Sequence, residues 1–390
     1  MVTLSTADKA LKTVYLGVVG NQLNYGANPL LAKIKQTTNN VYGNEIVKGT
    51  SYGMSGGVSA GTEDGTLPKA HGKLYSKFRV TLKNLYGTLE ITDKAIRCSQ
   101  NNAGAFVNLL NEEMESLIKS STFNLGRMLY GDGSGVLGTI SAVNEEGDTE
   151  YTVDSIKNFA VNQTCRLLNT AGTAYNSTYK DEIRVVSIDR ANKKIDTDYA
   201  ALVSLNNLKL ATNGFNNEIT GLGAIFGNST NLYGLKRSEN TWLKPYTKTS
   251  VGSISESVMQ TAIDEIAENS GADIDFIACS SAVRRFYQDC MSTYKRNIDV
   301  MDLQGGFKAL SYNGIPVVND RFVPDDTMYM LSTKDFELCQ LGDWEWLEGN
   351  DGRIIKQKEG YPIYTATLVK YAELLCNRPN SQAKLTGITA

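Results

Sequence analysis

The sequence predicts an α+β fold in which one helix is far longer than the others. Apolar residues recur at helical spacing over roughly Asn102–Leu129. Elsewhere strands and helices are mixed without a regular βαβ repeat, which argues against a parallel α/β sheet. A polar, glycine-rich segment, Val41–Lys73, precedes the long helix and contains eight glycines in 33 residues. A subunit that reaches over its neighbours would carry such a segment, whereas a domain that builds only its own core would not.

The first forty residues carry two short apolar faces. Residues 7–19 show a helical period of apolar residues, and Leu30, Leu31 and Ile34 give a second face after Pro29. An ordinary first helix that packs on the core is one reading of this region. The family resemblance given below implies another, an arm that contacts neighbouring subunits.

Two strands, Tyr75–Leu82 and Leu85–Thr92, are predicted to pair with each other before the long helix begins. Asn101 or Asn102 can cap the helix, and Gly131 ends it. Some 28 residues at 1.5 Å each give a rod of about 40 Å. No heptad pattern persists, so the helix is expected to brace a flat subunit rather than to form a coiled coil.

Short strands with turns dominate from about Asp148 to Asn213. Ile183–Asp189 and Lys194–Asp198 flank a polar turn and predict a β-hairpin, with Cys165–Leu168 as a partner strand. We therefore predict a small inserted β-domain.

The C-terminal half mixes helices and strands. Ser253 and Glu256 match a capping box that opens a helix, which ends at Asn269–Gly271. The later predicted elements are a strand at Ile274–Cys279, a helix at Ser281–Met291, a polar loop at Thr293–Gly306, and strands at Ile315–Asn319, Met328–Ser332, Phe336–Leu341, Arg353–Gln357 and Thr365–Leu375.

The order of these parts carries a family resemblance. The glycine-rich segment, the long helix and the turn Gly131–Gly135 follow one another. Later segments that match are Thr220–Leu222, Leu232–Arg237, Gly314–Val318 and Cys376–Pro379. This order resembles the major capsid protein of tailed bacteriophages, whose fold is named after phage Hong Kong 97. The likeness covers most of the chain except about Asp148–Asn213.

The resemblance implies a non-enzymatic structural protein that assembles as hexamers and pentamers into an icosahedral head shell. The shell would enclose phage DNA without sequence-specific binding and would form in the host bacterial cytoplasm. The expected partners are further copies of the chain, a scaffolding protein and a portal, with a decoration protein as a further candidate. No cofactor, metal or catalytic residue is expected. Because the chain enters its arm helix directly after Met1, we expect a separate scaffolding protein rather than a fused leader that is cleaved.

The family plan also implies domain boundaries and contact sites. The expected ranges are an N-terminal arm at 1–40, the extended loop with its strand pair at 41–100, the spine helix and the start of the peripheral domain at 101–147, the inserted β-domain at 148–213, the continued peripheral domain at 214–250, an axial domain at 251–355, and a return to the core at 356–390. Subunit contacts are expected in the extended loop at Gly53, Gly57, Gly61, Gly65, His71 and Lys73, and in an axial loop at Lys295, Arg296, Asp299 and Asp302. The covalent lysine–asparagine crosslink of some family members has no residue-by-residue match here.

Composition excludes several other classes. The net charge of −3 lacks the clustered basic excess of a nucleic-acid binder. The six cysteines show no C-x-x-C spacing, which favours buried or free thiols over a disulfide framework or a zinc site. The N terminus has no secretory pattern, and no apolar run reaches the ~18 residues of a membrane span.

Two motifs suggest chemistry that their context does not favour. Gly133–Gly138 matches G-x-G-x-x-G, but a helix precedes it where a dinucleotide site needs a strand. These glycines are expected to make tight turns with positive φ. A single histidine, His71, cannot build a histidine-rich metal site.

The segment Asp343–Glu348 keeps a second function open. Trp344 and Trp346 alternate with Asp343, Glu345 and Glu348, and aromatic rings beside carboxylates are typical of carbohydrate-active enzymes and carbohydrate-binding modules. The same alternation also fits a half-buried strand.

Overall fold

The computed structural model describes residues 28–95, 103–143, 147–171, 182–200, 207–293, 300–302, 308–349 and 352–389. The helix predicted at residues 7–19 and the predicted caps Asn101 and Asn102 lie outside these ranges.

Strands outnumber helices in the described chain. The α-helices are α1 (Pro29–Lys33), α2 (Ala103–Tyr130), α3 (Leu222–Ile225), α4 (Glu256–Ser270) and α5 (Ser281–Thr293), with short 3₁₀ turns at Thr241–Leu243, Thr333–Asp335 and Pro379–Ser381. The strands of the first half are β1 (Lys35–Thr37), β2 (Val41–Tyr42), β3 (Glu45–Tyr52), β4 (Leu74–Thr81), β5 (Lys83–Thr92), β6 (Val136–Val143), β7 (Glu150–Val153), β8 (Thr164–Leu168), β9 (Ile183–Asp189), β10 (Lys194–Thr197) and β11 (Lys209–Ala211). Those of the second half are β12 (Asn231–Leu232), β13 (Leu235–Lys236), β14 (Tyr246–Lys248), β15 (Gly252–Ser253), β16 (Phe276–Cys279), β17 (Val300–Asp302), β18 (Lys308–Tyr312), β19 (Ile315–Asn319), β20 (Met328–Leu331), β21 (Phe336–Gln340), β22 (Glu345–Trp346), β23 (Lys356–Gln357), β24 (Ile363–Cys376), β25 (Ala383–Leu385) and β26 (Ile388–Thr389). The α+β class is confirmed.

The long helix α2 and a six-stranded sheet share the main core. The predicted helix bounds agree with α2 to within about one residue, and Met114, Ile118, Leu125 and Leu129 are all buried. The 14-residue strand β24 is the centre of the sheet, because β5, β21, β22 and β23 all pair with it. The described part of the N-terminal region joins this core too, since Leu30 and Leu31 of α1 are buried and β1 pairs parallel with β21.

The predicted pairing of the two strands before the helix is wrong, although both strands exist. β4 pairs with β3, whereas β5 pairs with β24 over ten residues. Only Leu82 separates β4 from β5, which leaves no turn that could reverse the chain. The backbone therefore runs straight from one sheet into the next.

A seven-stranded sheet with α4 and α5 forms a second core. Its strand order is β14-β25-β20-β16-β19-β18-β17. The helix α4 begins after Ser255, whose hydroxyl accepts from Val258 N, so the predicted cap at Ser253 is wrong. Gly271 ends α4 at φ 63°, as predicted. The predicted loop Thr293–Gly306 is wrong in part, because Val300–Asp302 forms the edge strand β17.

Residues between Val136 and Ala211 form a closed six-stranded barrel with a core of its own. The strand order is β10-β7-β6-β11-β8-β9, and Ile140, Tyr151, Phe159 and Ile195 are fully buried inside it. The predicted hairpin is confirmed by the antiparallel pair β9–β10, and β8 pairs with β9 as expected. The barrel takes in β6, which precedes the range predicted for the insertion, because β6 must bridge β7 and β11 to close it.

The chain enters and leaves the barrel at one place, next to the main core. Thr212 N donates to Gly135 O over 2.9 Å, which joins the two ends of the barrel segment. Gly133 and Gly135 have φ of 83° and 76°, as the sequence predicts, whereas Gly138 lies in β6 and has no positive φ. Beside them Arg127 and Glu218, both buried, form a bidentate ion pair, and Thr212 Oγ1 donates to the same carboxylate over 2.7 Å. This buried clamp ties the end of α2 to the exit of the barrel.

The peripheral and axial domain boundaries stay a prediction. Buried apolar residues of the described chain form three clusters, one around α2 and β24, one around α4 and α5, and one inside the barrel. The first cluster draws on residues from both the N-terminal and the C-terminal regions of the described chain.

We expect the barrel to be removable at its own ends. Replacing Val136–Ala211 by a short Gly/Ser linker should leave a soluble subunit whose far-UV circular dichroism and cooperative unfolding persist, because the hydrogen-bonded ends need little bridging. Replacing 148–213 instead should give insoluble protein, since β6 would lose both barrel partners. Soluble 148–213 replacements with insoluble 136–211 replacements would contradict this account.

A buried carboxyl group lies on the central strand. Glu373 is 0% exposed, and its Oε1 accepts from Thr220 N and Leu374 N, while its Oε2 has no partner among the described residues. Removal from water outweighs these hydrogen bonds and raises the pKa of Glu373 from its ordinary 4.5 to about 7.

This carboxyl group makes stability depend on pH. Between pH 4.5 and 7 the folded chain binds a proton that the unfolded chain releases, so stability falls as pH rises through this window. The loss attributable to Glu373 should be of the order of 3 kcal/mol. Urea unfolding of the wild type and Glu373→Gln at pH 4.5 and 7.5 measures it, because other acids cancel between the two proteins. Parallel pH profiles would contradict the prediction.

Candidate functional site

An antiparallel hairpin projects a long tip away from the core. Strands β3 and β4 pair over eight residues, and the last pair joins Tyr52 to Leu74. Residues 53–73 form the tip. The paired strands, Glu45–Tyr52 and Leu74–Thr81, are called the base of the hairpin, and the tip extends from them.

Aromatic packing fixes the base of the hairpin to the core. Phe78 is fully buried, with its ring centroid 5.4 Å from that of Tyr233 and 5.7 Å from that of Trp242. Tyr52 stacks on Trp242 at 5.3 Å. Lys48 Nζ also donates to the Glu337 carboxylate over 2.7 Å.

Tyr233 connects this aromatic cluster to the central strand of the main sheet. Its hydroxyl donates to Leu374 O and accepts from Cys376 N, each over 3.1 Å. Burial raises the pKa of Tyr233 well above its ordinary value, so the phenol stays neutral and can make both bonds. The Tyr233 carbonyl accepts from Arg79 N over 3.1 Å. The hairpin base is therefore continuous with β24.

The tip makes its local contacts with itself. Ser55 Oγ and Gly56 N both donate to His71 O, over 3.0 and 3.2 Å. The two branches of the tip approach closely there, since a Cβ at Gly57 would lie 3.2 Å from Ala70 Cα. Glycine permits this crossing.

The six residues predicted as loop contacts all lie in this tip. Gly57 is half-buried, and the other five are exposed, namely Gly53, Gly61, Gly65, His71 and Lys73. Among the predicted axial residues, Lys295, Arg296 and Asp299 lie outside the described ranges, and Asp302 lies in β17 opposite Lys308. Their contacts with other subunits stay a prediction.

Sequence reasoning missed the apolar side chains of the tip. Met54, Val58 and Leu67 are 85%, 79% and 90% exposed. Large apolar residues placed singly in a glycine-rich stretch fit no strand or helix period, and that isolation was the available signal. Such exposure suggests a surface that another molecule covers.

The aromatic and acidic segment at Asp343–Glu348 does not form a sugar cleft. Trp344 and Trp346 are 4% and 5% exposed, so their ring faces are buried in the main core. Glu345 is exposed between them, and Asp343 Oδ1 accepts from Lys370 Nζ over 2.9 Å. The segment is therefore a half-buried strand, with its tryptophans on the core side and Glu345 in solvent.

The described ranges contain no cluster of three or more His, Cys, Asp or Glu residues that could hold a metal ion. Cys165, Cys279, Cys290, Cys339 and Cys376 are free thiols. No helix in the described part of the chain is long and apolar enough to cross a membrane.

Known proteins resemble this chain in structure rather than in sequence. No protein-family model and no curated protein sequence matches it. The capsid asymmetric unit of cyanophage A-1(L) aligns with 96% of this chain and 93% of its own, at 11% identity and a TM-score of 0.54. This chain has the Hong Kong 97-type capsid fold.

Two further solved structures align at lower scores. The holo-SrpI encapsulin complex from Synechococcus elongatus PCC 7942 covers 92% of this chain and 86% of its own, with 8% identity and a TM-score of 0.48. The capsid of Myoviridae phage XM1 covers 93% and 92%, with 10% identity and a TM-score of 0.45. That the hairpin β3–β4 takes the place of the extended loop, and α2 that of the spine helix, stays a prediction.

We expect the tip to contribute little to the stability of the free subunit. Replacing Gly53–Lys73 by Asn-Gly, which suits a two-residue hairpin turn, should change the free energy of unfolding by less than about 1 kcal/mol. The matched change at the base, Phe78→Ala, should cost about 3–5 kcal/mol. Urea denaturation of both variants measures this difference. A tip replacement as costly as Phe78→Ala would show that the tip belongs to the subunit core.

Proposed function

We propose that this protein is the major capsid protein of a tailed bacteriophage, a structural subunit without enzymatic activity. It would assemble as hexamers and pentamers into the icosahedral head shell that encloses the phage DNA. The observation that carries this proposal is the hairpin. Its base is fixed in the core, and the apolar side chains of its tip are exposed, with no partner in the described part of their own subunit. The Hong Kong 97-type fold supports it.

The architecture suits a subunit that makes many modest contacts. The helix α2, about 40 Å long, braces the sheet while the hairpin reaches outward. In a closed shell each contact is made between subunits that other contacts already hold together, so weak interfaces combine into a stable assembly. Bond-making chemistry is not needed for this mechanism.

The partners follow from the same proposal. A scaffolding protein would guide assembly in the bacterial cytoplasm, and a portal would occupy one vertex. The barrel would project from the shell surface and could receive a decoration protein. With a net charge of −3, the subunit would enclose DNA without reading its sequence.

Assembly of the purified chain tests the proposal. Wild-type protein, expressed alone or with a scaffolding protein, should sediment as capsomers or shells and appear as closed particles in electron micrographs. The Asn-Gly tip replacement should remain subunits, because it keeps the core but lacks the contact segment. A wild type that stays monomeric under both conditions would contradict the proposal. A tip replacement that assembles normally would show that the tip is not needed for shell assembly.

A further inference from the structure

A short connection leads from the barrel back to the main core, and two buried carboxyl groups hold it. We call this connection, residues 212–221 between β11 and α3, the exit segment. Glu218 lies on it and pairs with Arg127 of α2. Thr220 N, also on it, donates to Oε1 of Glu373 on β24. The Glu218 charge is thus matched by a cation, whereas no cation pairs with Glu373 among the residues that the structure describes.

The exit segment can part from β24 without breaking the sheet. Two backbone N–H groups donate to Glu373 Oε1, and one of them, Leu374 N, belongs to β24 itself. The other, Thr220 N, belongs to the exit segment. A Cβ at Gly221, the next residue, would lie 2.6 Å from Gly131 O at the end of α2, so the segment also lies directly on this helix. The Thr220 contact is therefore the one that a change at Glu373 would open.

The surroundings of Glu373 do not offset a negative charge. The neighbouring titratable and charged groups are Lys83 of β5, Tyr233, Cys339 of β21, and the paired Arg127 and Glu218. The charge of Lys83 lowers the pKa of Glu373, but by less than burial raises it. Burial raises the pKa of both Tyr233 and Cys339, so these two groups stay neutral when Glu373 ionises.

We propose that Glu373 is a proton-operated latch on the exit segment. While its carboxyl group is protonated, Thr220 stays bonded to β24 and the segment is closed. A buried carboxylate without a cation is costly, and opening the segment exposes it to water for the loss of one backbone hydrogen bond. Ionisation therefore opens the Thr220 contact and loosens the connection of the barrel to the core. The latch belongs to the single subunit, so it operates whether or not the chain assembles into shells.

Proton linkage gives the direction and the size of the effect. The carboxyl group has its ordinary pKa of 4.5 when the segment is open and a pKa of about 7 when it is closed. Opening therefore releases a proton within this window, so it becomes more favourable as pH rises and levels off above pH 7. From pH 5 to pH 8, the protection of exit-segment amides against hydrogen exchange should fall roughly 50-fold after correction for the intrinsic exchange rate.

Hydrogen exchange of the full chain at pH 5 and pH 8, read by mass spectrometry of peptides from residues 212–221 and from β21, tests the latch. The exit segment should be less protected than β21 at both pH values. Glu373→Gln, which cannot ionise, should remove the pH dependence of the exit segment. The matched control Glu345→Gln changes an exposed acid on β22 of the same sheet and should keep the wild-type dependence.

Three results would overturn the latch. One is a wild-type exit segment whose corrected protection is the same at pH 5 and pH 8. Another is a Glu373→Gln variant that keeps the wild-type dependence. The third is an exit segment that is as protected as β21 and changes with it, because Glu373 would then act only on global unfolding. If Glu373→Gln does not fold, the wild-type profile decides, since a fall that levels off above pH 7 supports the latch and a fall that continues refutes it.

Discussion

The packing of Phe78 against Tyr233 and Trp242 holds the extended hairpin to the rest of the subunit. Burying a phenylalanine contributes roughly 1.5–3 kcal/mol, and each aromatic pair about 0.5–1.5 kcal/mol more. Tyr233 also hydrogen-bonds to both Leu374 and Cys376, so the hairpin base is joined directly to the central strand. The direction in which the tip projects is therefore set by the core.

The tip, unlike the base, has few contacts that offset the conformational entropy lost when it is ordered. Fixing a residue costs about 1–2 kcal/mol of conformational entropy, so ordering residues 53–73 costs on the order of 20 kcal/mol or more. The contacts within the tip, such as those of Ser55 and Gly56 to His71 O, return about 1 kcal/mol each. We therefore expect the tip to depend on an external surface for its order, as the proposed role in a shell requires.

Local patterns predicted local structure well. The helical period and Gly131 gave the bounds of α2, and the polar turn between Ile183–Asp189 and Lys194–Asp198 gave the barrel hairpin. Pairing over long sequence distances was not predictable, because nothing in β5 indicates that its partner is β24, some 280 residues later. The predicted first residue of the barrel was wrong for the same reason, since β6 joins the barrel only through its pairing with β7 and β11. The glycines of the tip predicted an extended loop. Its exposed apolar residues were not predicted, because they fit neither a helical nor a strand period.

Hydrogen–deuterium exchange over Glu45–Thr81, in free subunits and in assembled particles, tests the central claim most directly. The account predicts slow exchange of the paired strands β3 and β4 in both states, because their base is fixed in the core. It predicts that residues 53–73 exchange rapidly in the free subunit and become protected on assembly. Protection of the tip already in the free subunit, or rapid exchange of the tip in assembled particles, would contradict it.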